Sequence, residues 1–276
     1  MTSTTLHPAT AAPDNQAVPA AASAPAACSN CGVRRAGEFC AACGQAAVRG
    51  RLTVRGIVRQ VAQDVLNLDR GILFTALELT RRPGHAIRDY VEGKRVRYTG
   101  PVKYFILTVA LTTFATTQLG VLNEVAGGLV ESMGETAPVT VDQASQFLTQ
   151  WMTLFMALGV PFTAFVTWRV FSRARMTYAE HLALNLYSYG HQSLGLALAL
   201  LVSLVVPKLE APLVVGWTGV AALYFGWTSA QFFPMRARWA VPLGVLAMAV
   251  GTIVYFLVAS FVVGVGVGVG KAVLEG

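Results

Sequence analysis

Cys28, Cys31, Cys40 and Cys43 form the pattern C-x2-C-x8-C-x2-C, and a glycine, Gly32 or Gly44, follows each pair at once. Two such knuckles supply four thiolates to one tetrahedral zinc ion. Every coordination position is then filled by protein, which marks a structural site, because catalytic zinc keeps a position open for water or substrate. Iron in the same four-sulfur geometry, and redox-active or unliganded cysteines, are the competing readings. The residue after a C-x-x-C turn often needs positive φ, which glycine adopts without strain. Amides of such a turn can point at the sulfurs. Phe39 is expected to cover one side of the site. Arg34 and Arg35 are expected at its tip, as contact residues or as solvated decoration.

A second group of polar residues lies far along the chain. Glu180, His181, Asn185, Tyr187, Ser188, His191 and Gln192 sit at helical spacing in an otherwise apolar stretch. At 100° per residue, Glu180, Tyr187 and His191 share one stripe, and His181, Asn185, Ser188 and Gln192 share its neighbour. His191 and Gln192 fall about 16 Å beyond Glu180 at 1.5 Å per residue. If Glu180 marks the interface, they approach the middle of a bilayer. Ionisable groups at such depth mark a pathway or relay, whereas hydrogen bonding between helices is the plainer use of Asn, Ser, Gln and neutral His. The chain holds no H-E-x-x-H and no G-x-S-x-G, and no paired aspartates within its apolar runs, which points away from an intramembrane enzyme.

The elements that must position these groups follow from composition. The 276 residues are 54% hydrophobic and 13% charged, with a mean hydropathy of +0.54, against about 25% charged in soluble domains. The expected fold is an all-α polytopic membrane protein with about five transmembrane helices, at 101–122, 147–168, 182–206, 211–235 and 239–268 within a bundle 101–271. Each run is long enough to cross a bilayer. Ahead of the bundle come an Ala/Pro/Thr/Ser-rich tail at 1–27, expected to be disordered, the zinc knuckle at 28–45, and an amphipathic cytoplasmic platform at 51–100. Within the platform, Val54, Ile57, Val58, Val61, Val65 and Leu68 line one face of a predicted helix over 51–70. Short helices are predicted at Ile72–Thr80 and at about His85–Glu92, with Gly93 as a stop. Lys94, Arg95 and Arg97 form a basic anchor at the membrane surface.

Fourteen of the 21 basic residues, and seven of the 14 acids, fall in residues 1–103, so this segment carries the whole net charge of +7. The loop 123–146 has no Lys or Arg, while Arg169, Arg173 and Arg175 follow the second run and Arg236 and Arg238 the fourth. The positive-inside rule then places the N-terminus in the cytoplasm and the C-terminus outside. The cysteines are expected to stay reduced there, which favours metal over disulfides. Membrane lipid is an expected partner, with a cytoplasmic protein on the zinc head. Nucleic acid is disfavoured, because the basic residues are not interleaved with aromatics. Gly264/Gly268 and Gly266/Gly270 have the spacing of a homo-oligomer contact.

The knuckle head, Asp69-x-Gly71-x-Leu73-x-Thr75, Arg82-Pro83-Gly84, Arg88-x-Tyr90-x-x-Gly93-Lys94-Arg95 and Tyr98-x-x-Pro101 together resemble a bacterial family of unknown function. The resemblance is most specific over 28–105, and Glu180-His181 also looks like a family feature. It implies an inner-membrane, multi-pass protein with an N-terminal zinc ribbon, and it assigns no activity. The expected role is non-enzymatic, in interaction, assembly or regulation. A transporter or channel subunit using the polar face of the third run is the alternative, and an intramembrane enzyme is the least favoured.

Overall fold

The structure, a computed structural model, describes residues 27–35, 37–47, 50–58, 71–134, 140–203, 205–206, 208 and 210–274. The expected tail, up to residue 26, and residues 59–70 of the expected amphipathic helix lie outside the described residues. The chain divides into two compact units, Met1–Ala47 and Val48–Gly276.

The second unit is helical. Its long-named elements are α1 (Gly71–Arg81), α2 (Pro83–Val91), α3 (Pro101–Gln118), α4 (Val121–Met133), α5 (Val141–Val170), α6 (Tyr178–Ser203), α7 (Glu210–Phe232) and α8 (Ala237–Leu274). Pro83 and Pro101 open α2 and α3 at the first helical positions, where a missing N–H costs nothing. Gly93, at φ 104°, takes the chain out of α2. The stretch 123–146, expected as a loop, is largely helical. Val121–Met133 forms α4, and α5 starts at Val141 because Thr140 and Gln143 close a capping box. The Gln143 amide donates to Thr140 Oγ1, and the Thr140 amide donates to Gln143 Oε1 at 2.9 Å.

Close helix crossings run through small residues. A Cβ on Gly84 of α2 would lie 2.3 Å from the Thr228 carbonyl oxygen of α7. One on Gly190 of α6 would lie 3.0 Å from Thr108 Oγ1 of α3, and one on Gly195 would lie 2.4 Å from the Trp217 ring of α7. Gly244 of α8 meets Ser229 of α7, and Gly251 meets Thr163 of α5, at 2.5 and 2.7 Å on the same measure. Such contacts let backbones approach, as in helices that gain little from excluding water.

Helices α3 and α6 run parallel. The Tyr187 hydroxyl donates to the Thr99 carbonyl at 2.6 Å, Gly190 faces Phe105 and Thr108, and Thr112 donates to the Ser193 carbonyl at 2.7 Å. The first nine residues of α6 therefore extend past the start of α3. This part is enclosed by an aromatic core. Tyr90, Tyr104 and Tyr187 are fully buried, with ring centroids 5.5 and 5.9 Å apart. Ile57 joins that core together with Leu52, while Val54 and Val58 stay exposed.

Helices therefore occupy all five expected runs, and these helices differ in how apolar they are. Among the described residues, one helix is long and apolar enough to cross a membrane alone, Ala237–Tyr255 of α8. Pro101–Gln118 and Val121–Ser132 reach the same standard only as a pair bent by 76°. Polar side chains lower the hydropathy of two of the runs. Seven residues of α3, Lys103, Thr108, Thr112, Thr113, Thr116, Thr117 and Gln118, are polar, and α6 carries its Glu, His, Asn and Gln.

Candidate functional site

The head repeats itself after twelve residues. The amides of Gly32 and Gly44 donate to the carbonyls of Cys28 and Cys40, both at 2.8 Å, and those of Cys28 and Cys40 donate to Val33 and Gln45, both at 2.9 Å. Bridges Ala27–Arg34 and Phe39–Ala46 close the two knuckles in the same way. Gly32 and Gly44 have φ of 75° and 72°, a region that favours glycine. Gln45, buried, donates from Nε2 to Ser29 Oγ and ties one knuckle to the other.

This duplication brings all four sulfurs within 4.8 Å of one another. Cys28 and Cys43 are 3.7 Å apart, and Cys31 and Cys40 are 3.5 Å apart. A tetrahedron with metal–sulfur bonds of about 2.3 Å has an edge of about 3.8 Å, so the cluster fits a single metal ion. Backbone amides of Cys31 and Asn30 push the Cys28 thiol down to about 6, and those of Cys43 and Ala42 lower Cys40. The Val33 amide also favours the Cys31 thiolate, but the crowded neighbouring sulfurs and burial push that thiol up to about 12. The amides thus favour thiolates in each knuckle, and a cation relieves the repulsion among them. Phe39 does not cover the site; it is 68% exposed. Its strand-like bridge with Ala46 turns the ring outward. Arg34 is exposed, and Arg35 is half-buried.

In the helical unit, the polar residues of α6 separate into three groups. Glu180 closes a second capping box. The Thr177 amide donates to Glu180 Oε2 at 2.9 Å, and the Glu180 amide donates to Thr177 Oγ1 at 3.3 Å. Arg51 grips the same carboxylate through Nε at 3.0 Å and through its terminal nitrogen at 2.6 Å. Those bonds raise the Arg51 pKa. The T-x-x-E pattern at 177–180 could have been read from the sequence as a helix start. The partner Arg51, 129 residues away, could not.

His181 and Asn185 turn to Thr167 of α5. The ring nitrogen Nδ1 of His181 is 3.3 Å from Thr167 Oγ1, and Asn185 Nδ2 donates to the same oxygen at 3.0 Å. His181 also lies 5.3 Å from the Phe233 ring. His191 forms the third group. Its Nδ1 is 2.9 Å from the Tyr104 hydroxyl, and its Nε2 is 3.2 Å from Thr80 Oγ1 at the end of α1. The Tyr224 ring of α7 stands 5.4 Å away. Glu180 and His191 share no partner. Counting depth from Glu180 placed His191 near a bilayer middle; counted from the start of α3, it is level with Tyr104, in the first turn. Gln192 is buried, and its Nε2 has no hydrogen-bond partner among the described residues.

Residues 71–101 build the docking of α1 and α2. Thr75 donates to the Gly71 carbonyl at 2.7 Å and accepts from the Thr99 amide at 2.8 Å. Arg82 pairs with Glu78 and with Asp89, at 2.5 and 3.3 Å. Gly84 admits α7, and Arg88 donates to the Phe232 carbonyl at the end of that helix. The predicted anchor residues are in part used internally. Lys94 pairs with Asp89 at 2.7 Å, and Arg95 stacks on Tyr90 at 5.3 Å. Arg97 is exposed. Tyr98, pushed up to about 12 by burial and by the Asp89 charge, donates to Asp89.

The same stretch carries the likeness to known proteins. Residues 69–113 match a family described as "Protein of unknown function (DUF3667)". No curated protein and no solved structure matches the chain. The chain is thus similar, over α1, α2 and most of α3, to a family without an assigned activity.

Proposed function

We propose that this chain is a non-enzymatic, multi-pass membrane protein whose metal-organised head docks a cytoplasmic protein partner. The observation that carries the membrane part is an inverted distribution of side chains. Thr108, Thr112, Thr163, Thr167, His181, Asn185 and Ser188 are buried, while Ile106, Phe114, Phe165, Leu198, Leu201, Leu223, Leu246 and Ile253 are 48–67% exposed. A soluble bundle buries the second set, and a lipid environment favours this arrangement. Five crossings, at α3, α5, α6, α7 and α8, accord with the alternation of basic loops and put the N-terminus in the cytoplasm.

The ion in the head is zinc, held by Cys28, Cys31, Cys40 and Cys43. Four thiolates in a closed tetrahedral set suit it, and they leave no position for a substrate. A closed site on a unit of this size presents a surface rather than a reaction. The exposed Phe39, Val33 and Arg34 form that surface.

A crosslinked pull-down from native membranes tests this reading. Wild type is compared with Cys40→Ser/Cys43→Ser at matched carbonate-resistant insertion. A specific protein captured by wild type and lost with the variant is the expected result. An unchanged partner set overturns the docking role.

A transport role has one observation in its favour. His181 Nε2, Asn185 Oδ1, Ser188 Oγ and Gln192 Nε2 are buried without partners among the described residues, along one face of α6. Proton flux into vesicles, abolished by Gln192→Leu, would replace the docking reading with transport.

A further inference from the structure

An open groove of about 560 Å³ lies between α2 and the turn joining α7 to α8. His85, Arg88, Gln231, Phe233, Met235 and Arg236 are among its lining residues, and no carboxylate lines it. We infer that this groove binds the phosphate of an anionic phospholipid headgroup. The inference rests on the membrane reading above.

Three features converge on that ligand. The first is charge of one sign on a prepared frame. Arg88 is fixed by its bond to the Phe232 carbonyl, while its Nε is buried and without a partner among the described residues. An N–H left this way favours an acceptor from outside. His85 and Arg236 are exposed beside it and free to close on an anion. Arginine is suited to phosphate by its planar donor fork.

The second feature is position. The helix that is long and apolar enough to cross a membrane begins at Ala237, one residue after Arg236. The groove therefore stands at the end of that crossing, at headgroup level. Arg236 precedes the crossing and Arg238 is its second residue, which places this end at the anionic cytoplasmic leaflet.

The third is the apolar rim. Met235 is 37% exposed and Trp239 is 59% exposed, with Arg238 over the Trp239 ring at 6.0 Å. A free phosphate has no use for such a rim. A diester carrying acyl chains does, since Trp favours the interface and its neighbours can meet the chains.

The test uses the full chain in nanodiscs, with phosphatidylglycerol titrated into phosphatidylcholine and bound lipid counted by native mass spectrometry. Wild type should retain phosphatidylglycerol preferentially. His85→Gln/Arg236→Gln, at two exposed positions, should weaken that retention about tenfold, as expected for losing a charge-assisted hydrogen bond. Arg88→Gln serves as a second variant, read together with helicity because Arg88 also caps α7. Equal retention of both lipids by wild type overturns the inference. So does unchanged preference in both variants, or saturable binding of inorganic phosphate without any lipid preference. Carbonate extraction is scored separately. A chain that leaves the membrane there refutes the membrane reading itself, whereas an integral chain without lipid preference refutes only the groove.

Discussion

The head and the helical unit are ordered by opposite means. Among the described residues of 27–47, the largest apolar side chains, Val33 and Phe39, are 49% and 68% exposed, and the buried residues are Cys28, Cys40 and Gln45. Nothing there resembles a hydrophobic core, so a metal ion must supply the folding free energy, about 10–16 kcal/mol for comparable sites. In the helical unit, order comes from shape. Glycine at the crossings, stacked tyrosines and two capping boxes hold helices whose outer faces are apolar. On the proposed reading, one region orders with an ion and the other without it. A protein built this way can gain or lose its head surface without disturbing its body.

That contrast can be broken at several points. The largest effect is expected for Cys40→Ser, which leaves three thiolates. Bound metal should fall from about one equivalent to near zero after dialysis, while far-UV circular dichroism of the helices stays unchanged. Elemental analysis checks the first outcome, and loss of helicity would contradict the second. Next comes Gly84→Ala in the body. The added Cβ would meet the Thr228 carbonyl at 2.3 Å, and overpacking of this kind costs about 3 kcal/mol. Hydrogen exchange should speed up in α2 and at the end of α7, with metal content unaffected.

Smaller effects sharpen the account of α6. Glu180→Ala removes both the capping box and the Arg51 pair, at a cost of about 1–2 kcal/mol. Glu180→Gln keeps the cap and loses only the pair with a largely exposed arginine, and should cost less. Thermal unfolding in detergent should rank them in that order. Equal losses would show that the ion pair, rather than the cap, fixes this helix start. His191→Phe should also cost little, about 1 kcal/mol, since it keeps the stack with Tyr104 and Tyr224 and drops two hydrogen bonds.

Local chemistry was legible in the sequence where short spacing carries it. The cysteine pattern and its glycines specify the clustered sulfurs, and Gly93 and Pro101 mark where helices stop and start. What required distant partners was not legible. Arg51 meeting Glu180, Gly84 meeting Thr228 and Thr80 meeting His191 are encounters across more than 100 residues. The contacts of Arg51 and Thr80 depend on how far α6 projects beyond α3, which hydropathy alone does not encode. The same projection bears on the depth read for His191 and Gln192, which was counted from Glu180. Most polar residues of α6 lie before, or level with, the first turn of α3. Two signals were present and passed over, Thr140-x-x-Gln143 and Thr177-x-x-Glu180. Each announces a helix start in a stretch whose charge suggested a loop or a relay.

Hydrogen exchange on the full chain in nanodiscs, with and without a strong zinc chelator, tests the division between the two regions most directly. Chelation is predicted to abolish protection of the Cys28, Gly32, Cys40 and Gly44 amides, which bond within the knuckles, while protection across α3 and α6 stays unchanged. Knuckle amides that remain protected in the chelated protein would contradict the claim that metal, and not packing, orders the head.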